Sequence, residues 1–147
     1  MILKSYEVKK INFEYNRFVL LYGKNEGLKT ETIEILNKNK NKILSYEEKE
    51  ILDNEDNFIE NILSKSLFEP EKLIVIKRTT DKILKIIDIL YQRNLEDISI
   101  ILSSDNLEKK SKLRSLFEKD KKLICIPFYP DNDQTLSNLA YNFLRDK

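Results

Sequence analysis

The stretch RFVLLYGKNEGLKTETIEIL, residues 17–36, contains both glycines of the chain, Gly23 and Gly27. An apolar run enters a glycine loop and a helix-prone segment leaves it. Residues 23–30 read GKNEGLKT. Against the phosphate-binding pattern G-x-x-x-x-G-K-[ST] they match at Gly23, Lys29 and Thr30, but Leu28 stands where the second glycine belongs. A phosphate loop works by converging backbone N–H groups and a helix N-terminus on the anion, with no side chain in the way. Leucine adds a branched side chain and confines the backbone to ordinary dihedrals. Leu28 is better explained by packing beneath a sheet. Lys29 and Thr30 are then ordinary residues of the first helical turn.

A hydrolytic nucleotide site also needs an acidic residue at the end of a neighbouring strand, to organise Mg²⁺ and water. The candidate strands end LIVIKRTT and ISIILSSDN. The first presents Lys77 and Arg78 in place of carboxylates, and the second presents Ser103 and Ser104. Asp105 follows, beyond the strand, where it reads as a cap for the next helix. Gly23, Gly27, Leu28, Lys29 and Thr30 thus read as a degenerate loop, with no catalytic residue, cofactor or metal.

Composition narrows the field further. The 147 residues suit one domain, and 41% hydrophobic with 35% charged residues is a globular balance. There is no histidine, which excludes Ser-His-Asp triads, Cys-His nucleophiles and histidine metal sites. The single cysteine, Cys125, lies in the apolar run KLICIPF and reads as a small core residue. No apolar run approaches the ~20 residues that cross a bilayer, and the opening MILKSYEVKK lacks a secretory core. A cytoplasmic protein, away from membranes, is the expectation. A net charge of +1 leaves nucleic-acid binding to be decided by local basic faces.

Five runs rich in Ile, Val and Leu punctuate the chain: 18–23, 41–48, 72–77, 98–103 and 123–128. Segments of helical period lie between them. Residues 53–68 place Phe58, Ile59, Ile62 and Leu63 at helical spacing. Residues 80–93 are apolar nearly all round, apart from the strip Lys82, Lys85, Asp88 and Gln92. Residues 106–120 gather Leu113, Leu116 and Phe117. Residues 130–147 carry the stripe Leu136, Leu139, Ala140, Phe143 and Leu144 behind Pro130, with Asp131 and Gln134 as a capping box. Continuously apolar strands alternating with helices predict a mostly parallel five-stranded sheet covered on both faces. The fold expected is a three-layer α/β, Rossmann or P-loop-like domain over 1–147. The last helix runs almost to Lys147, which reads as one domain of a longer chain.

Three stretches together resemble a known family. FVLLYGKNEGL (18–28), SKSLFEPEKLIVIKR (64–78) and IILSSDNLEKKSKLRSLFEKDKKLICIPFYPDNDQTLSNLAYNFL (100–144) are similar, in this order, to the N-terminal domain of the delta subunit of the bacterial DNA polymerase III clamp loader. The resemblance implies a degenerate AAA+-type domain that neither binds nor hydrolyses ATP. It implies binding to the beta sliding clamp and help in opening the ring during DNA replication. The Leu-Phe pair that makes the family's contact matches Leu67 and Phe68. The further partners implied are the gamma/tau and delta-prime subunits, and primed DNA through the assembled loader. The domain itself is not an enzyme, while its parent subunit belongs to a holoenzyme with DNA-directed DNA polymerase (nucleotidyltransferase) activity. Delta-prime subunits usually carry zinc-binding cysteines, and this chain has only Cys125.

The residues themselves leave the pair open. Leu67 continues the spacing Ile59, Leu63, Leu67 and could be core. Phe68 lies about 100° further round the helix, and Glu69-Pro70 ends the segment. Two competing readings remain. A P-loop nucleotidase or kinase with an aberrant loop predicts Mg²⁺-ATP binding through Lys29. A nucleic-acid-binding domain would use Lys109, Lys110, Lys112 and Arg114, although Asp105, Glu108, Glu118 and Asp120 flank them and favour a solvated charged face.

Overall fold

The computed structural model describes residues 1–37, 42–63, 72–93 and 98–128. Five strands, β1 (Phe18–Gly23), β2 (Ile43–Glu47), β3 (Lys72–Lys77), β4 (Ile98–Ser104) and β5 (Leu123–Phe128), form one sheet in the order β2-β3-β4-β1-β5. Every pairing is parallel. The helices are α1 (Glu26–Leu36), α2 (Glu48–Asp53), α3 (Glu55–Leu63), α4 (Leu84–Gln92) and α5 (Lys112–Lys119). The strands fall where the apolar runs predict them, and the three-layer α/β architecture follows.

Strand order and crossover handedness together place the helices. From β1 the chain crosses two strands to reach β2, whereas every later crossover moves the opposite way. Right-handed connections therefore put α1 on one face and the remaining helices on the other. Alternate residues of each strand feed the two cores. Leu20, Ile74, Ile76, Ile100 and Leu102 pack with Phe58 and Ile62 of α3, Ile86, Ile87 and Leu90 of α4, and Leu113 and Phe117 of α5. Val19, Leu21, Val75, Ile101 and Ile124 pack with Leu36 of α1 and with Val8 and Ile11. Val8 belongs to a 3-10 helix, Ser5–Lys10, which the apolar-run reading misses. Ahead of that helix, Ile2 bridges to Cys125, so residues 1–3 run along the outer edge of β5.

Three local readings need correction. The segment expected to be one helix from 53 is broken at Asn54, whose backbone (φ −151°, ψ 70°) ends α2 and whose side chain accepts from the Asn57 N–H to start α3. Asp105 does not cap α5. That helix begins seven residues later, with Ser111 accepting from the Arg114 N–H and Asp81 accepting from the Lys112 and Leu113 N–H groups. Leu116 is 38% exposed, while Leu113 and Phe117 are fully buried. The readings of Leu67 and Phe68 and of the amphipathic segment 130–147 lie outside the described residues. Among the described residues no helix is long and apolar enough to cross a membrane.

Candidate functional site

In an open α/β sheet, ligands bind beyond the carboxyl ends of the strands, where neighbouring strands send their connections to opposite faces. Here β1 and β4 are such neighbours, leading to α1 and α5. A cleft of about 480 Å³ opens at this end, lined by residues from α1 and from the ends of β2, β3 and β4. Its walls include Lys29, Thr30, Lys77, Ser103, Ser104 and Asp105.

Gly23 closes β1 at φ 125°, and its N–H donates to the Asp105 carbonyl at 3.2 Å. A Cβ at this position would stand 1.8 Å from the Phe128 carbonyl oxygen, so the first glycine is required by the approach of β5. Gly27 differs. It lies in the first turn of α1, where a Cβ would meet only the Asn25 Oδ1 atom at 3.8 Å. The turn is closed by the protein itself. Asn25 caps α1 by accepting from the Leu28 N–H at 3.1 Å, occupying a donor that a phosphate loop offers to its ligand. Leu28 is half-buried and packs against the core on the α1 face, as its apolar character predicts.

Lys29 is no ordinary first-turn residue. It is 1% exposed, and its Nζ donates to the Ser104 carbonyl at 2.9 Å and pairs with the Glu26 carboxylate at 2.6 Å. A buried ammonium needs such partners, because desolvation without them costs on the order of several kcal/mol. The lysine of the motif is thus turned back onto the end of β4. Thr30 is exposed at the cleft wall.

The strand ends are rigidly held. Thr79 donates its N–H to the Ser103 carbonyl at 3.1 Å, and its hydroxyl bonds the Ser104 hydroxyl. Glu48, buried at the start of α2, accepts from the Thr80 hydroxyl at 2.7 Å and from the Thr80 N–H. Between these anchors and β3, Arg78 takes φ 57°, a left-handed conformation uncommon outside glycine. The bend brings Lys77 and Arg78 to the same cleft, although consecutive strand residues would face opposite sides. Arg78 lies 3.8 Å from Glu47.

The basic segment before β5 does not make a continuous cationic face. Arg114 turns inward, with Nε on Glu118 at 2.9 Å, Nη1 on the Leu107 carbonyl at 2.9 Å and its guanidinium 5.1 Å from the Tyr22 ring centroid. Lys110 pairs with Glu108 at 3.3 Å. Cys125 is fully buried in β5, and burial pushes its thiol pKa up to about 12, as expected of a core residue. Among the described residues no three of the metal-ligating side chains gather as a metal site.

No family model matches the chain, and no curated protein matches it.

Proposed function

We propose that this chain is a non-catalytic, protein-binding domain of the degenerate AAA+ type, which grips the ring-shaped beta sliding clamp and helps to open it without binding or hydrolysing ATP. The reading takes its partner from the resemblance carried by residues 18–28, 64–78 and 100–144. The observation that supports it best is the inward-turned Lys29, spent on the Ser104 carbonyl and the Glu26 carboxylate. With Asn25 occupying the Leu28 N–H, two of the groups that would meet a triphosphate are already engaged. The clamp anchor is Leu67 with Phe68. In this reading the domain works in the cytoplasm beside the gamma/tau and delta-prime subunits.

Two apolar side chains inserted in a partner's pocket would supply a hot spot of ~2–4 kcal/mol. The test is to mix the full chain with the sliding clamp of its own organism and measure complex formation by gel filtration and surface plasmon resonance. A complex that weakens by about 30-fold or more in the Leu67→Ala/Phe68→Ala double variant is expected. Unaltered affinity in a folded double variant sinks the assignment. The nucleotidase alternative draws on the position of the cleft and predicts Mg²⁺-ATP binding that Lys29→Ala abolishes.

A further inference from the structure

The cleft holds functional groups that the clamp-binding reading does not use. Strand register places Glu47 beside Lys77, and Lys77 beside Ser103. By alternation with Ile43, Val75 and Ile101, which join the core on the α1 face, this row of carboxylate, ammonium and hydroxyl looks toward α1. Lys29 and Thr30 of α1 form the facing wall.

The charges lining the cleft are balanced, and most are already paired. Lys29 is bound to Glu26, and Arg78 is drawn to Glu47. Among the described residues, the side chains of Lys77, Asp105, Thr30 and Ser103 have no hydrogen-bond or ion-pair partner, though all four line the cleft. Ser103 is 8% exposed and stands on the cleft wall beside Lys77. The free groups are therefore one ammonium, one carboxylate and two hydroxyls. That set does not offset the charge of a polyphosphate, and its carboxylate repels a simple anion. It complements a molecule bearing one charge of each sign.

We propose that the cleft binds a small zwitterion of the amino-acid type, with its carboxylate against Lys77 and Ser103 and its ammonium against Asp105. A volume of about 480 Å³ accommodates such a ligand, and it lies within the span of about 300–1,000 Å³ common to small-molecule sites. The left-handed turn at Arg78 has a role in this arrangement. It sets a second cation beside Glu47, leaving Lys77 to the ligand. The site is independent of Leu67 and Phe68, so it stands or falls separately from the clamp reading.

The test uses the full ¹⁵N-labelled chain, titrated in turn with each of the standard L-amino acids, with inorganic phosphate and with Mg²⁺-ATP, and followed by amide chemical shifts. At least one amino acid is expected to saturate in the millimolar range, moving the resonances of Thr30 and residues 103–105. Lys77→Ala and Asp105→Asn should each weaken it at least tenfold, the loss of one charge-assisted hydrogen bond. Ser103→Ala should weaken it less, and Lys85→Ala, on the exposed side of α4, should leave it unchanged. The proposal is overturned if no amino acid saturates, if the Lys77 and Asp105 variants bind as well as the parent chain, or if only phosphate or Mg²⁺-ATP binds.

Discussion

The Nζ atom of Lys29 lies 2.9 Å from the carbonyl oxygen of Ser104, 75 residues further along the chain. This buried bond ties the first turn of α1 to the end of β4 at the cleft wall. The same lysine that gives the sequence its phosphate-loop appearance is here a buried brace.

Removing that brace should cost stability. Lys29→Ala leaves a buried carbonyl without its donor, a loss of about 1–3 kcal/mol. Urea unfolding followed by circular dichroism should show a lower midpoint with an unchanged slope. An unshifted midpoint would mean that the Lys29–Ser104 bond contributes nothing net.

The two glycines should respond in opposite ways. Gly23→Ala forces a Cβ into the Phe128 carbonyl and a strained φ, so a loss of about 3 kcal/mol or failure to fold is expected. Gly27→Ala makes only an ordinary contact with the Asn25 Oδ1 atom, at 3.8 Å in the first turn of α1, and should stabilise by about 0.5–1 kcal/mol. Thermal melts of the two variants decide the matter. A destabilised Gly27→Ala would show that backbone freedom at this second glycine is needed after all.

Cys125 should be chemically silent while the protein is folded. With a thiol pKa raised to about 12 by burial, only about one molecule in 10⁵ carries the thiolate at neutral pH. Labelling with Ellman's reagent should therefore track unfolding in urea rather than proceed in native buffer. Rapid native labelling would show that β5 and the edge formed by residues 1–3 open readily.

Asp81 offers a pH test. The Ser111 hydroxyl, together with the Lys112 and Leu113 N–H groups, holds its carboxyl pKa below the ordinary 3.8. A depressed folded-state pKa contributes stability that is present above the unfolded value and lost as pH falls through the folded one. Asp81→Ala should therefore cost about 1 kcal/mol at neutral pH, the usual worth of a helix cap at an exposed site. The gap should narrow below about pH 4, as the parent carboxylate protonates. A gap that is constant with pH would remove the carboxylate charge from the account.

The strands were legible because each is a continuous apolar run, and both faces of the sheet are covered. Their order was not, since nothing in residues 18–23 states that β4 and β5 flank them. The break at Asn54 was written locally, in Asp53-Asn54-Glu55, but the apolar period runs through it and hides it. Leu28 could be read as packing because its chemistry admits little else. The burial of Lys29 could not, because its partner is a backbone carbonyl on a distant strand, and any residue type carries one. The missed cap at Asp81 is similar. Nothing in the sequence beside the helix points to it, and the fold supplies this acceptor from 30 residues upstream of Ser111.

β1 pairs Phe18 with Ile100 on one side and with Leu123 on the other. As the chain emerges from the ribosome, this fully buried strand thus waits for most of the sequence to be synthesised before either hydrogen-bonding neighbour exists. Such long-range pairing slows folding and leaves a sticky segment uncovered meanwhile. The nascent protein is therefore expected to lean on a holding chaperone until residues near 128 have cleared the exit tunnel.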